Sequence, residues 1–353
     1  MKHTNNFDAL RLGAALAVVL SHQFWLVSSW QPKPFGPMTL GSVAVYVFFL
    51  ISGFLVASSW DADPKLWRFA ARRFLRIWPA YAVVVVGTSL YVAATDSRPL
   101  AHTAAWMYVF KHAFFQPFDW DFFPRIHDAR LNPPLWTIAF EIGCYVLFAC
   151  AAAVFRKYWP AALALVLACV LGVFGFGMRS FDPSNVSGDL NWVWFGSFFA
   201  MGAIWSRFTV LRSVKACIST VGLGVLAYLS GSEMIGLALA IPALSIFIGT
   251  RCWPMVSRAG RFGDFSYGIY LWGWPVQWIV ASALGVQVGI WTLLAVSVPA
   301  ILVVAALSWH LVERRALAAK PGRPVHGHDG PLSNCGRLAS YLAKRDGDLQ
   351  SMV

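Results

Sequence analysis

The sequence predicts an all-α integral membrane protein in which about ten transmembrane helices surround a central cavity. Of its 353 residues, 58% are hydrophobic and only 12% are charged, and the mean hydropathy is +0.60. Soluble domains carry roughly 25% charged residues, so this composition excludes an ordinary soluble protein. Apolar windows of about 17–25 residues, long enough to cross a bilayer as a helix, recur along the chain. The Lys and Arg residues are also unevenly distributed between alternate loops.

The apolar windows define ten candidate spans. No short apolar segment with a small-residue cleavage site precedes the first span, so we expect the first helix to be an uncleaved membrane anchor. The spans cover residues 7–28, 40–59, 79–95, 134–154, 159–177, 191–206, 213–230, 233–250, 264–284 and 288–312.

The basic residues indicate the orientation of the chain. If the N-terminus is cytoplasmic, 22 of the 28 Lys and Arg residues lie at the termini or in cytoplasmic loops, as the positive-inside rule requires. Ten spans then leave both termini in the cytoplasm. The net charge of +12 is therefore a topology signal, and we expect membrane lipid but no nucleic acid as a partner. The six cysteines lack metal-ligand spacing, so we expect no metal site.

The sequence divides into a transmembrane domain, residues 1–315, and a polar tail, residues 316–353. The composition of the tail predicts a disordered cytoplasmic segment. Two stretches outside the spans are candidates to contain functional residues. They are the basic, amphipathic segment 61–79 and the long extracytoplasmic loop 96–133.

The first span contains two ionisable residues, Arg11 and His22. Eleven residues make about three helical turns, so both side chains lie on one helix face roughly 16 Å apart. Ionisable groups at membrane depth are costly and usually mark a functional site. The alternative is an arginine that reaches the cytoplasmic interface and a histidine that is hydrogen-bonded within the bundle.

Three further charged residues are candidates for a binding or catalytic role. Arg73 and Arg76 are three residues apart, so on a helix they share a face and could bind a phosphate, unless they only set topology. Glu141 enters the fourth span from outside by about 10 Å, which is similar to the depth of His22. The two could face each other, and the carboxylate would then orient the imidazole and raise its basicity. The alternative is a carboxylate that pairs with another helix for assembly only.

Five sequence blocks follow one another along the chain. They are Phe7–Arg11 with the Arg-x10-His spacing to His22, Val47–Leu55, Arg72–Tyr81, Asn132–Thr137 with Glu141, and Phe265–Trp272. The order of these blocks, together with ten predicted spans, resembles the membrane-bound acyltransferase-3 family. Members of that family acylate bacterial surface glycans and related molecules. The resemblance covers residues 5–315.

The resemblance implies an enzyme of the bacterial inner membrane. Its reaction is the transfer of an acyl group, most simply acetyl, from cytoplasmic acyl-CoA to a hydroxyl of a surface glycan or a lipid-linked sugar. His22 is then the general base, or the nucleophile of an acyl-imidazole. Arg11 holds donor phosphate or stabilises charge at the thioester carbonyl, and Glu141 tunes His22.

The resemblance also implies which residues bind the donor. Arg72, Arg73 and Arg76 are expected to anchor coenzyme A on the cytoplasmic side. Ser52 and Gly53 allow close helix packing, which is the favoured interpretation, or they form a backbone wall for the pantetheine arm.

The chain departs from the family pattern at two places, and other function classes stay open. Gly273 stands where many members have a histidine, and the ending after Glu313 lacks the common proline.

A proton-coupled secondary transporter also fits ten helices with buried ionisable residues, although no inverted repeat is visible. A binding or scaffold protein is a third hypothesis, against which the intact Arg11 and His22 pair argues. The sequence leaves the acceptor, the acyl length and the oligomeric state open.

Overall fold

The computed structural model describes residues 5–36, 38–95, 106–110, 132–177, 188–253 and 256–322. Within these ranges the regular secondary structure is helical, apart from one isolated β-bridge between Phe35 and Met38. The all-α fold class is therefore confirmed. The helices, numbered in chain order, are α1 Phe7–Ser28, α2 Leu40–Ala62, α3 Leu66–Thr95, α4 Trp136–Phe155, α5 Trp159–Gly177, α6 Gly188–Arg207, α7 Val214–Leu229, α8 Glu233–Gly249, α9 Ser266–Leu284, α10 Ile290–Ser308 and α11 Arg314–Ala318.

Several of these helices are long and apolar enough to cross a membrane. Each of the ten predicted windows overlaps one helix from α1 to α10, whereas α7 and α8 are short for a full crossing. The chain is a multi-pass membrane protein, and the count of ten crossings stays a prediction. Among the described residues, the five stretches that meet both criteria are Phe7–Ser28, Leu40–Ala62, Leu66–Thr95, Pro133–Cys169 and Ile290–Ala318.

The segment 61–79 is not separate from the third span. Helix α3 begins at Leu66 and continues through Pro79 to Thr95. Its 30 residues correspond to about 45 Å, so the arginines of this segment lie on the same rigid helix as the predicted span. The predictions for residues 1–4, for most of loop 96–133 and for residues 323–353 lie outside the described residues.

Helix α1 has packing partners on two faces. Ala14 and Val18 belong to the main apolar core, which α2 shares. Ala15 and Val19, on another face, pack in a smaller cluster with Ile269 of α9 and with residues of α10. Small and β-branched side chains on both faces let α1 lie between α2 and α9.

Helices α2 and α6 cross at two glycines. A Cβ atom built on Gly53 overlaps the backbone carbonyl of Phe199, and one built on Gly202 overlaps the backbone carbonyl of Leu50. Small residues at such a crossing let two helix backbones approach closely. Gly53 therefore has the packing role.

We expect Gly53→Ala to lower the stability of the folded protein, because the added methyl group meets backbone that cannot rotate away. Overpacking of this kind costs about 1–3 kcal/mol. Thermal unfolding of the purified protein measures the change. Gly196→Ala on α6 is the matched control, because a Cβ there meets nothing within 4 Å; equal melting temperatures for the two variants would contradict the close crossing.

Candidate active site

A cavity of about 90 Å³ lies between α1, α2, α3, α4 and α9. A concave site with a few convergent polar groups in an apolar wall is typical of ligand binding. Its lining brings together five of the eight predicted site residues. The polar lining residues are Arg11, Ser52, Arg73, Arg76, Thr137, Glu141, Tyr145, Tyr267 and Tyr270.

Arg11 and Arg76 share a single carboxylate, that of Asp264. The Nη1 atom of Arg11 and the Nη2 atom of Arg76 each lie 2.5 Å from Oδ2 of Asp264, and the Ser266 hydroxyl donates to Oδ1. Asp264 thus ties α1, α3 and the start of α9 together. Sequence analysis missed this residue, although an acidic residue directly before the Phe265–Trp272 block was a usable signal.

Arg73 has no carboxylate partner of this kind. Its guanidinium carbon lies 5.7 Å from the ring centroid of Tyr145 and 5.9 Å from that of Phe69. Within the described part of the chain it makes no salt bridge, and its Nε has no hydrogen-bond partner. An arginine held over aromatic rings, with no carboxylate in direct contact, is well suited to bind an anionic ligand.

Glu141 is held by two hydroxyl groups. Ser52 Oγ donates to Glu141 Oε1 at 2.9 Å, and Tyr145 donates to the same oxygen. The two hydroxyl oxygens are 2.8 Å apart. These three groups form a closed triangle between α2 and α4, and Tyr145 also contacts Arg73. Glu141 and Arg73 are therefore parts of one polar cluster.

Glu141 and His22, which were predicted to face each other, contact different groups in the structure: Glu141 contacts Ser52 and Tyr145, and His22 contacts Trp274. Helix α4 begins within the bundle, because Asn132, shortly before it, is buried and donates from Nδ2 to the carbonyl of Leu271 at 3.1 Å. The observed partner of Glu141 on α2 is Ser52.

His22 lies outside the cavity lining, further along α1 than Arg11. Its ring meets Trp274 of α9 edge-on, with centroids 5.6 Å apart and planes at 86°. The eleven residues from Arg11 to His22 correspond to about 16 Å of helix. Arg11 and His22 thus lie at two separate levels of α1.

Near His22, helices α1 and α9 are in close contact. Gln277 Nε2 donates to the carbonyl of Val19 at 2.8 Å and to Oε1 of Gln23 at 2.9 Å. A Cβ atom on Gly273 would lie 2.9 Å from the Val19 side chain. The glycine that replaces the family histidine therefore sits where the helices touch. Among the described residues, no group of three or more His, Cys, Asp or Glu could hold a metal ion.

Arg72 and Gly53 do not line the cavity, so the structure does not support donor binding by either residue. Arg72 is buried, and its Nη1 lies 2.9 Å from Oδ2 of Asp63, which Arg68 also approaches at 3.5 Å. Burial of Asp63 favours a higher pKa, but Arg72 and Arg68 outweigh burial and hold the pKa of the carboxyl below its usual value. Arg72 fixes the connection between α2 and α3.

We expect Arg72→Ala to destabilise the protein by about 3–5 kcal/mol, because it leaves the Asp63 carboxylate buried without its main partner. The lowered pKa of Asp63 means that its stabilising effect is present above its ordinary pKa of about 4 and is lost as the pH falls below it. Asp63→Asn should therefore be less stable than the wild type at pH 7, and the difference should shrink on acidification. Thermal unfolding at both pH values measures this.

The exposed residue Arg315 offers the control for that series. Arg315→Ala should unfold like the wild type. If Arg72→Ala is as stable as the wild type, Arg72 is again a candidate for donor binding.

Comparison with known proteins identifies relatives over most of the chain. A family model described as an acyltransferase domain matches residues 4–309. The O-acetyl transferase of Shigella phage Sf6 is 28% identical, over 90% of this chain and 97% of its own length. Nodulation protein 10 of Rhizobium leguminosarum bv. viciae is 26% identical, over 89% of this chain and 94% of its own length. Peptidoglycan O-acetyltransferase OatA of Listeria monocytogenes is 25% identical over 88% of this chain and 55% of its own length. No solved structure matches.

Proposed function

Because this chain belongs to the acyltransferase-3 family and is a membrane-bound O-acyltransferase, we propose that it transfers an acyl group, most simply acetyl, from cytoplasmic acyl-CoA to a hydroxyl of a surface glycan or lipid-linked sugar. The O-acetyl transferase among its relatives supports transfer of acetyl to an oxygen, and the peptidoglycan O-acetyltransferase supports a glycan acceptor. The proposal includes ten crossings of the bacterial inner membrane with both termini in the cytoplasm, which the distribution of Lys and Arg supports. The family assignment leaves the transporter hypothesis without support.

The observation that carries the proposal is the convergence of three guanidinium groups, those of Arg11, Arg73 and Arg76, on a cavity that Glu141 also lines. Arg11 and Arg76 share one carboxylate, and Arg73 makes no salt bridge among the described residues. Coenzyme A carries phosphate groups, and arginine binds phosphate through strong, charge-assisted hydrogen bonds. We assign the phosphate end of the donor to this cluster, with Glu141, Ser52 and Tyr145 positioning Arg73.

Arg11 and His22 are far enough apart along α1 to have different roles. The cation cluster lies about 16 Å from His22 along the helix, a span that the extended pantetheine arm can bridge. The thioester then reaches His22, while the phosphates stay with the arginines. Arg11 accordingly holds phosphate and does not act at the thioester carbonyl, because it is too far from the imidazole.

The proposed chemistry is a direct transfer at His22. The acceptor oxygen attacks the thioester carbonyl carbon, a C–O bond forms, the C–S bond breaks, and coenzyme A leaves. His22 takes the hydroxyl proton as general base and returns it to the leaving thiolate. The edge-on contact of the His22 ring with Trp274 of α9 holds the imidazole in place for this reaction.

We expect His22→Ala to lower acylated product by about 10²-fold or more at normal protein abundance, since the loss of a general base costs 10²–10⁴-fold. Mass spectrometry of surface glycans from cells that express each variant measures the product. His310→Ala, an exposed histidine, is the control and should keep wild-type activity. Wild-type product from His22→Ala would remove His22 from the mechanism.

We expect Arg73→Ala to weaken coenzyme A binding, because a charge-assisted contact of roughly 1.5–3 kcal/mol is lost. The weakening should be largest at low salt, where charges are least screened. Binding of labelled coenzyme A to purified protein in nanodiscs measures it. Arg156→Ala, an exposed arginine away from the cavity, should bind normally; equal binding by both variants would refute the phosphate site.

A further inference from the structure

At the end of the bundle where α1 and α9 finish, the structure contains an open surface pocket of about 620 Å³. We propose that this tryptophan pocket is the acceptor site and that it binds the pyranose ring of a sugar; the inference rests on the proposed function above. The pocket lies beyond His22 on the side opposite the cation cluster. Its characteristic lining residues are Trp25, Trp274, Trp278, Ser29, Ser282 and Gln287.

Three indole rings converge on the tryptophan pocket. Trp25 and Trp274 lie with ring centroids 5.1 Å apart and planes at 39°. Trp274 is only 1% exposed, so it forms the floor, whereas Trp25 is 39% exposed and keeps a face open to the pocket. Trp278 is fixed by an edge-on contact with Tyr91, with centroids 6.0 Å apart. The aromatic walls are therefore held in place before a ligand arrives.

The chemistry of the lining fits a sugar. A pyranose ring has flat faces of C–H groups and a rim of hydroxyl groups. Indole rings offer flat apolar faces together with N–H donors, and Ser29, Ser282 and Gln287 are exposed donors and acceptors around them. A hydrocarbon chain needs no such polar rim. An interfacial tryptophan belt places single rings at the membrane surface and does not require three of them to line one pocket.

Trp274 connects the tryptophan pocket to the catalytic histidine. The ring that forms the floor of the pocket is the same ring that meets His22 edge-on at 5.6 Å. His22 itself does not line the tryptophan pocket, so the contact through Trp274 is what relates the sugar site to the imidazole. The donor thioester reaches His22 from the cation cluster, so the two substrates meet at the imidazole from opposite ends of α1.

Sugar binding without the donor tests this assignment. The probes are N-acetylglucosamine, galactose, glucose and rhamnose, with sorbitol as a control that has hydroxyl groups but no ring. Saturation-transfer NMR on the protein in nanodiscs detects weak binding directly. We expect a signal from at least one pyranose and none from sorbitol. Trp25→Ala should reduce the pyranose signal by about fivefold or more, the loss expected for one aromatic stacking contact, and Trp25→Phe should retain most of it.

Trp291→Ala is the matched control, because Trp291 is 72% exposed, packs near α1 through Phe24 and does not line the pocket. It should keep the pyranose signal. Labelled coenzyme A binding to each variant shows that the variant is folded and tests the donor proposal separately. If coenzyme A binds but no pyranose does, or if Trp25→Ala retains the full signal, the acceptor assignment is wrong and the donor proposal stands. If neither ligand binds, both are wrong.

Discussion

The shared contact of Arg11 and Arg76 with Asp264 is the interaction on which the site depends. Two guanidinium groups within 2.5 Å of one carboxylate oxygen are stable in an apolar bundle only with that carboxylate between them. The contact fixes the rotation of α1 and α3 relative to the start of α9. It thereby turns Arg73 towards the cavity, and it sets the helix face on which His22 meets Trp274 further along α1.

This arrangement gives α1 two chemically different ends. One end lies beside a cluster of cations, which suits the anionic donor that we propose. The other end lies beside indole rings and paired glutamine side chains, where Gln277 binds the Val19 carbonyl. An enzyme that uses a donor on one side of a membrane and an acceptor on the other needs such a separation, because each substrate must enter from its own compartment.

Much of the cavity could be predicted from the sequence, because its residues are ionisable groups in apolar spans or lie in recognisable blocks. Arg11, Arg73, Arg76, Glu141 and Ser52 all line it. Other features depend on tertiary contacts that no local pattern records. One of them is the contact of Asn132 with Leu271, which places the start of α4 within the bundle.

The roles of neighbouring arginines also depend on tertiary contacts. Arg72 and Arg73 are adjacent in the sequence but point to different partners, because successive residues of a helix lie about 100° apart. Arg72 faces Asp63, and Arg73 faces the cavity. Asp264 was missed because its function is to hold two arginines that are distant in the sequence.

The most direct test of the account is an experimental structure of the protein in nanodiscs with coenzyme A bound. The account predicts the phosphate groups within hydrogen-bonding distance of Arg73 and its neighbours Arg11 or Arg76, and the sulfur atom at the His22 level of α1. Coenzyme A bound elsewhere, or a sulfur atom that remains at the level of Asp264, would contradict the central claim that the cation cluster binds the donor and His22 performs the transfer.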